Sequence, residues 1–370
     1  MAVLFGKTIK KANLLQRVGQ MDQIAGATAC ELTDGPEKGV SAIHVKTGSG
    51  FNFTVLPDRG LDISAADYCG KSLCWRSVTG DVAPQFYDER GANWLFSFFG
   101  GLLTTCGLSS VGAPVEDDDR ELGLHGRINN TPATNVSVDC DWQGEDYVIT
   151  IRGKVLEAMV FGPCLRMTRT ITATMGESRL FVDDVIENVG HETVPLQYLR
   201  HINLGYPVVD DGSELLIPSL EVIPQTDCAE DGREHFNRFE APVKGYAEKC
   251  YYHKLAKDRQ GNSCAAIVNR KCEDGFGAYL RFPLKHFPQF VEWKQMGQGV
   301  YVVGLEPSNC RTEGRTLDRA KGLLEFLKPG RTRRFRGELG VLSGKADIAA
   351  FEKQVKAMTK GKKIKFSKNE

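Results

Sequence analysis

Apolar residues alternate with polar residues along much of the chain, and this period of two predicts β-strands. Leu165, Met167 and Ile171 share one face of such a run, and the other face is polar: Arg166, Thr168, Thr170, Thr172 and Thr174. Short polar turns separate the runs, as is typical of antiparallel sheets. The same alternation is present at residues 51–55, 136–142, 147–151 and 180–186.

A helical period is confined to the end of the chain. Ile348, Phe351, Val355 and Met358 recur at helical spacing, which predicts an amphipathic helix over residues 346–359. No other long segment shows this pattern. The fold class is therefore all-β: a large antiparallel β-sandwich with a short C-terminal helix.

The domain organisation follows from the absence of any linker between two halves of the chain. We expect one β-sandwich domain over residues 1–345, the helix 346–359 packed on it, and a basic mobile tail over residues 360–370. The apolar segment 91–108 contains a Gly-Gly break, and we interpret it as buried irregular chain or a short helix.

Composition restricts the partners and the compartment. The 370 residues include 47 Lys and Arg against 47 Asp and Glu, so the net charge is zero and neither nucleic acid nor a membrane surface is an expected partner. The start of the chain does not resemble a signal peptide, and the eleven cysteines contain no CxxC pair. These features favour a reducing cytoplasm. A homodimer is left open.

Two turn-like stretches carry candidate ligand contacts. In VLPDRGLDI, Arg59 follows a strand and could contact a ligand, although a tight turn with an ion pair explains it equally well. In LGLHGRINN, glycines flank His125 and Arg127 follows them. This is either a polar turn or a loop whose glycines let the backbone approach a ligand that His125 and Arg127 touch.

Two apolar strands carry candidate acid–base residues. His201 and Asn203 lie in LQYLRHINLG, and Glu306 ends the strand YVVGLEPSN. A histidine in an apolar strand is more often a core residue with satisfied hydrogen bonds, and a carboxylate at the end of a strand is often solvated. If the carboxylate is buried instead, it lowers the stability of the fold unless it is paired, hydrogen-bonded or faces an open cleft.

Other catalytic and cofactor motifs are absent from the sequence. There is no GxSxG, HExxH, P-loop or GxGxxG after a strand, and the histidines do not have metal-ligand spacing. We therefore expect no metal and no cofactor.

The order of these stretches resembles the aldose 1-epimerase (galactose mutarotase-like) family. ENVGHETVPLQYLRHINLGYPVVDDG, GLEPSN, LGLHGRINN and FNRFEAPVKGYAEKCYYHKL are each similar to a family motif, and they occur in the family's order between about residues 50 and 340. The VLPDRGLDI stretch indicates a poorly characterised branch. The resemblance implies the galactose mutarotase-like supersandwich, which agrees with the strand pattern.

The resemblance also implies roles for the candidate residues. His201 would donate a proton to the ring oxygen of a sugar, and Glu306 would take the proton of the anomeric hydroxyl. His125 would hold the sugar, with Arg59, Arg127 and Asn203 as further substrate-binding residues. The family's sugar-binding aspartate has no match, because CYYHKL stands in its place.

Three functions are compatible with these residues. The first is an isomerase that interconverts the anomers of a sugar, with a bell-shaped pH profile whose acid limb is set by Glu306 and basic limb by His201. The second is another sugar-active enzyme on the same fold, a lyase or hydrolase. The third is a non-catalytic carbohydrate-binding protein, which a separation of His201 from Glu306 by more than one sugar ring would favour.

Overall fold

β-Strands dominate residues 2–369, the part of the chain that the computed structural model describes. The helices are α1 (Lys11–Leu15), α2 (Asp227–Asp231), α3 (Arg315–Ala320) and α4 (Lys345–Thr359). The strands are β1 (Ala2–Leu4), β2 (Lys7–Ile9), β3 (Gly26–Glu31), β4 (Ser41–Lys46), β5 (Phe51–Leu56), β6 (Asp62–Tyr68), β7 (Lys71–Ser72), β8 (Thr104–Leu108), β9 (Val115–Glu116), β10 (Glu121–Leu122), β11 (Thr134–Gln143), β12 (Asp146–Ala158), β13 (Cys164–Thr174), β14 (Arg179–Asn188), β15 (Val194–Leu204), β16 (Glu214–Leu216), β17 (Ser219–Pro224), β18 (Lys249–Leu255), β19 (Asn262–Asn269), β20 (Phe276–Pro283), β21 (Gln289–Gly297), β22 (Val300–Ser308), β23 (Glu325–Leu327), β24 (Thr332–Ser343) and β25 (Lys365–Phe366).

Two eight-stranded sheets form the sandwich. The first has the order β11-β12-β13-β14-β24-β20-β19-β16, and the second has the order β23-β15-β22-β21-β18-β17-β25 with β8 also paired to β15. A five-stranded meander, β3 to β7, adjoins them. Strand pairing is antiparallel apart from the short parallel pair of β17 with β25. The predicted antiparallel sandwich is confirmed.

Inward-facing side chains of both sheets form one continuous core. Leu165 and Met167 of β13 are buried together with Ile202 of β15 in the same cluster. The Arg200 guanidinium on β15 crosses this interior and donates to the carbonyl oxygens of Val182 and Phe335 in the facing sheet, at 3.2 and 2.9 Å. The inner face of β15 is therefore occupied by the core, and its outer face is available for other contacts.

A buried ion network lies between the sheets. Arg169 binds Asp62 at 2.5 Å and Asp184 at 2.7 Å, and Arg200 binds Asp184 at 2.7 Å. The Tyr198 hydroxyl also donates to Asp184. Burial alone would raise the pKa of Asp184, but the two arginines hold it at about 2, so the carboxyl stays ionised.

Removing this carboxylate charge is expected to destabilise the fold. Asp184→Asn leaves Arg169 and Arg200 buried without their shared partner, and should lower the free energy of unfolding by about 3–5 kcal/mol. The neighbouring Asp183 pairs with Arg334 at the surface, so Asp183→Asn should cost no more than about 1 kcal/mol. Urea unfolding followed by tryptophan fluorescence checks both values. Equal costs for the two variants would show that the network does not hold the sheets together.

The C-terminal helix and strand lie on the outside of the sandwich. Ile348, Phe351 and Val355 of α4 are buried against β19, β20 and β24, as the helical period predicts. The expected mobile tail is wrong in part, because β25 pairs with β17 and Lys365 forms an ion pair with Glu221. Among residues 2–369 there is no helix with the length and apolar character that a bilayer crossing requires.

Candidate active site

His201 and Glu306 lie side by side on the outer face of the second sheet. The antiparallel register of β15 with β22 pairs Ile202 with Leu305 and Asn203 with Gly304, which puts His201 directly opposite Glu306. The His201 Nε2 and Glu306 Oε1 atoms are 3.2 Å apart, within ion-pair distance but without the alignment of a hydrogen bond. Both side chains are buried, with exposed fractions of 5 % and 2 %.

Gly304 leaves room for this pair. A Cβ atom at position 304 would lie 2.5 Å from Glu306 Oε1 and 3.1 Å from Cε1 of His201. Any larger residue would therefore displace the carboxyl or the imidazole. The glycine in the sequence GLEPSN belongs to the site for this reason.

His125 reaches the pair from a loop with left-handed backbone. Its φ is +58°, its N–H donates to the Gly112 carbonyl at 2.9 Å, and its own carbonyl accepts from the Gly107 N–H at 3.0 Å. The imidazole ring centre lies 5.7 Å from that of His201 in an edge-on arrangement. The structure thus brings His125, His201 and Glu306 together.

The glycines beside His125 have a different purpose from the one considered from sequence. A Cβ at Gly123 would lie 1.8 Å from the Glu89 carbonyl oxygen, and one at Gly126 would lie 2.5 Å from the carbonyl oxygens of Gly107 and Ser110. The close approach is to the protein's own backbone. These glycines dock the loop so that His125 points at His201.

Aromatic side chains surround the cluster. Trp94 contacts His125 with ring centres 4.8 Å apart, and both Phe98 and Trp293 lie 5.3 Å from the His201 ring. Trp293 is partly exposed, and its indole N–H donates to a Glu248 carboxylate oxygen at 2.7 Å. Partly exposed tryptophans offer flat apolar surfaces with a polar edge, the kind of wall that binds the C–H face of a sugar.

Burial favours the uncharged forms of the side chains in the cluster. It raises the pKa of Glu306 well above its ordinary value, and the negative charge of Glu248 raises it further. Burial also lowers the pKa of His201 to about 3, with a further contribution from His125, and that of His125 to about 4. Strongly perturbed groups gathered at one place are typical of functional sites.

Several buried polar atoms in the cluster have no hydrogen-bond partner. They are Oε1 of Glu306, Nδ1 of His201, Nδ1 of His125 and Oδ1 of Asn203. Each unmade hydrogen bond of a buried group costs about 1–3 kcal/mol, so native proteins rarely keep them together without a use. Their concentration at one point indicates a binding site for a ligand rich in hydrogen-bonding groups.

Asn203 belongs to this cluster by position. It follows His201 by two residues on the same face of β15, and its amide donates to the carbonyls of Gly100 and His201 at 3.1 and 3.0 Å. Its side chain favours the charged form of His201 and so opposes the effect of burial on the pKa of that imidazole. Asn203 can therefore hold His201 as well as contact a ligand.

The arginines proposed from sequence lie elsewhere. Arg59 is fully buried and donates to the carbonyl oxygens of Asn129, Val82 and Ser97, so it fixes three loops to the turn that carries it. Arg127 is half-exposed and its Nη1 atom lies 3.5 Å from a Glu89 carboxylate oxygen, and it lines a groove whose walls do not include His125, His201 or Glu306. The assignment of Arg59 as a substrate contact is corrected on this position, and that of Arg127 stays a prediction.

Comparison with known protein families assigns the chain to one of them. Residues 37–341 match the family described as a domain of unknown function, DUF4432. The chain belongs to the DUF4432 family. No curated protein matches it.

Solved structures resemble this DUF4432 protein in fold. A putative aldose 1-epimerase from Klebsiella pneumoniae is 26 % identical, with a TM-score of 0.89 over 94 % of this chain and 93 % of that one. A galactose mutarotase-like protein from Clostridium acetobutylicum is 13 % identical, with a TM-score of 0.58 over 86 % and 99 %. The galactose 1-epimerase from Lactobacillus acidophilus is 12 % identical, with a TM-score of 0.56 over 86 % and 99 %. The last two show a shared fold.

The DUF4432 chain also contains a second buried histidine–glutamate pair, which serves as an internal reference. His253 Nε2 and Glu292 Oε2 are 3.2 Å apart, and the Ser219 hydroxyl lies 2.8 Å from the Nδ1 atom of His253. This pair lies on the core face of β18 and β21, in contact with Phe236 and Phe290. Both ring nitrogens of His253 have protein neighbours, unlike Nδ1 of His201.

A metal centre is not apparent in the described part of the chain. No group of three or more His, Cys, Asp or Glu side chains between residues 2 and 369 has the arrangement that could hold a metal ion.

Proposed function

We propose that this protein is an aldose 1-epimerase-like isomerase, which interconverts the anomers of a free sugar or sugar derivative by opening and reclosing its ring. The observation that carries the proposal is the separation of 3.2 Å between His201 Nε2 and Glu306 Oε1, at a cluster of unpartnered buried polar atoms. The anomeric hydroxyl and the ring oxygen of a single sugar can therefore reach the two members of this pair. The short distance favours an acid–base function over sugar binding alone.

Ring opening needs one proton removed and one proton added. The Glu306 carboxylate takes the proton of the anomeric hydroxyl, the C1–O5 bond breaks as C1=O forms, and protonated His201 gives a proton to O5. Rotation about C1–C2 exposes the other face of the aldehyde. The same steps in reverse close the ring as the other anomer, and no net proton is gained or lost.

The burial of the pair fits the open-chain stage of this reaction. Because the pKa of Glu306 is raised and that of His201 is lowered, the single proton of the pair resides on Glu306 when the site is empty. Protonated Glu306 with neutral His201 is also the state reached after ring opening. In this mechanism the protein favours the protonation state that accompanies the least stable sugar species.

The pH dependence follows from the same two pKa shifts. At low pH the pair gains a second proton on His201, whose pKa of about 3 puts the acid limb far below the ordinary histidine value of 6.5. At high pH the remaining proton leaves Glu306, so the basic limb belongs to this raised pKa. We therefore expect a bell-shaped profile whose acid limb lies below the ordinary histidine range and whose basic limb lies above the ordinary glutamate range. The sequence had suggested an acid limb set by Glu306 and a basic limb set by His201, and the pKa shifts give the opposite order.

Exchange rates measured from pH 3 to 10, with circular dichroism to confirm folding at each pH, check this profile. An acid limb near pH 6 to 7 in folded protein would contradict it. His125 and Glu248 are the titratable neighbours that act on the pair, so the profile is best repeated in variants that lack them.

A screen by saturation-transfer NMR tests the function itself. The panel contains aldoses, deoxy-sugars, uronates and phosphorylated sugars, and the readout is exchange between anomers above the buffer rate. Catalysed exchange of at least one sugar is expected. If sugars bind but none exchanges faster than in buffer, the protein is a carbohydrate-binding protein instead.

A further inference from the structure

Glu248 stands at the open side of the site. It immediately precedes β18 and is exposed, and its carboxylate holds the indole N–H of Trp293 at 2.7 Å. The Trp293 ring in turn lies 5.3 Å from the ring of His201. A sugar that reaches His201 and Glu306 along the exposed part of Trp293 therefore passes this carboxylate.

The charged side chain that acts on the Glu306 carboxyl is an acid. Glu248 is the charged neighbour that shifts the pKa of Glu306 within the described residues, and burial keeps both imidazoles uncharged at neutral pH. Lys249, next along the chain, lies over the Tyr246 ring at 4.1 Å, on the opposite face of β18 from Cys250. Arg59, Arg127 and Arg200 are bound elsewhere.

We propose that Glu248 is a specificity-determining residue that selects uncharged sugars, because its carboxylate repels uronates and phosphorylated sugars from the mouth of the site. The inference rests on the proposed function, since it assumes that a sugar binds at His201 and Glu306. Because Glu248 is exposed and its charge is screened by water, its repulsion of a bound anion amounts to on the order of a tenfold change in affinity.

The carboxylate combines two effects that variants can separate. Glu248→Gln removes the charge, but its amide oxygen can still accept the Trp293 indole N–H. Glu248→Ala removes the charge and the hydrogen bond, so the indole loses its anchor. A change that appears in both variants comes from charge, and a further loss confined to Glu248→Ala comes from the position of Trp293.

Calorimetric binding of matched pairs tests the proposal: glucose with glucuronate and galactose with galacturonate. The wild type should bind the aldose of a pair more tightly. Glu248→Gln should raise the affinity for the uronate relative to its aldose by roughly tenfold. Glu89→Gln, which removes an exposed carboxylate that is paired with Arg127, should leave this ratio unchanged.

The outcomes separate this inference from the proposed function. A ratio that stays within about twofold of wild type in Glu248→Gln, or a wild type that prefers uronates, overturns the selection by charge. Sugar binding with the expected ratio but without anomer exchange overturns the isomerase and leaves the selection intact. If the wild type binds no member of either pair, the selection of uncharged sugars is overturned, and the isomerase is judged by the screen of anomer exchange.

Discussion

Glu306→Gln is expected to slow anomer exchange by on the order of 10²-fold or more while sugar binding is largely retained. The amide keeps the shape and the hydrogen-bonding capacity of the side chain but cannot take the proton of the anomeric hydroxyl. The loss should therefore appear in kcat rather than in KM. Saturation-transfer NMR gives the rate, and calorimetry with the same sugar gives the affinity.

The second carboxyl of this kind provides the control. Glu292 is as deeply buried as Glu306 and lies at the same distance from a histidine, but on the core face of the sheet. Glu292→Gln should lower stability and keep the exchange rate of the folded protein. Glu306→Gln should keep its stability, because Glu306 Oε1 makes no hydrogen bond to His201, whereas Glu292 Oε2 is hydrogen-bonded to His253 Nε2. Near-normal exchange in folded Glu306→Gln would disprove the proposed mechanism.

The fold could be predicted from the sequence because the alternation of apolar and polar residues is a direct sign of a half-buried sheet. Leu165, Met167 and Ile171 have the burial that their period of two requires, with the intervening residues partly exposed. The end of the chain was harder to judge. Its lysines suggested a mobile tail, but the apolar Phe366 among them contacts the core and β25 pairs with β17.

The candidate site could be predicted only in part. Apolar neighbours surround both Arg200 and His201, and nothing in the sequence decides which of the two faces the core. In the structure Arg200 enters the interior network and His201 faces outward. The contact with Glu306 then depends on the register of two strands that are distant in sequence, which a periodic pattern does not reveal.

The arginine and the glycines were misinterpreted for a common reason. Arg59 in a tight turn and the glycines beside His125 both suggested an approach to a ligand, because turns are frequent binding elements. Each instead satisfies the protein's own backbone: Arg59 binds loop carbonyls, and Gly123 and Gly126 allow carbonyls to come close. Sequence does not show which carbonyls need a donor.

The aromatic wall and its carboxylate were not identified from sequence. Trp94 and Phe98 lie in the segment 91–108, which was interpreted only as buried chain or a short helix, and both are buried against the site. Trp293 alternates within β21 like any strand residue. Glu248 stands just before the stretch CYYHKL, in a region where the family's aspartate was sought and not found. Its role is visible only through its contact with Trp293.

His201→Asn is expected to reduce the exchange rate on the order of 10²-fold or more, because no other group at the site can give O5 a proton from the same position. His253→Asn is the matched control. It breaks the hydrogen bond of the core pair with Glu292, so it should cost stability, about 1–3 kcal/mol, and leave the rate of the folded molecules unchanged. Equal rate losses in the two variants would mean that both act through the fold.

The double variant Glu306→Gln/His201→Asn decides whether the pair works as a unit. If one proton is shared across the 3.2 Å between Nε2 and Oε1, removing either residue already stops the transfer. The double variant should then be no more than a few-fold slower than the slower single variant. Losses that multiply, to roughly 10⁴-fold, would mean that the two residues act independently, and the shared-proton mechanism would be wrong. Exchange rates of the four proteins on one sugar at saturating concentration provide this test.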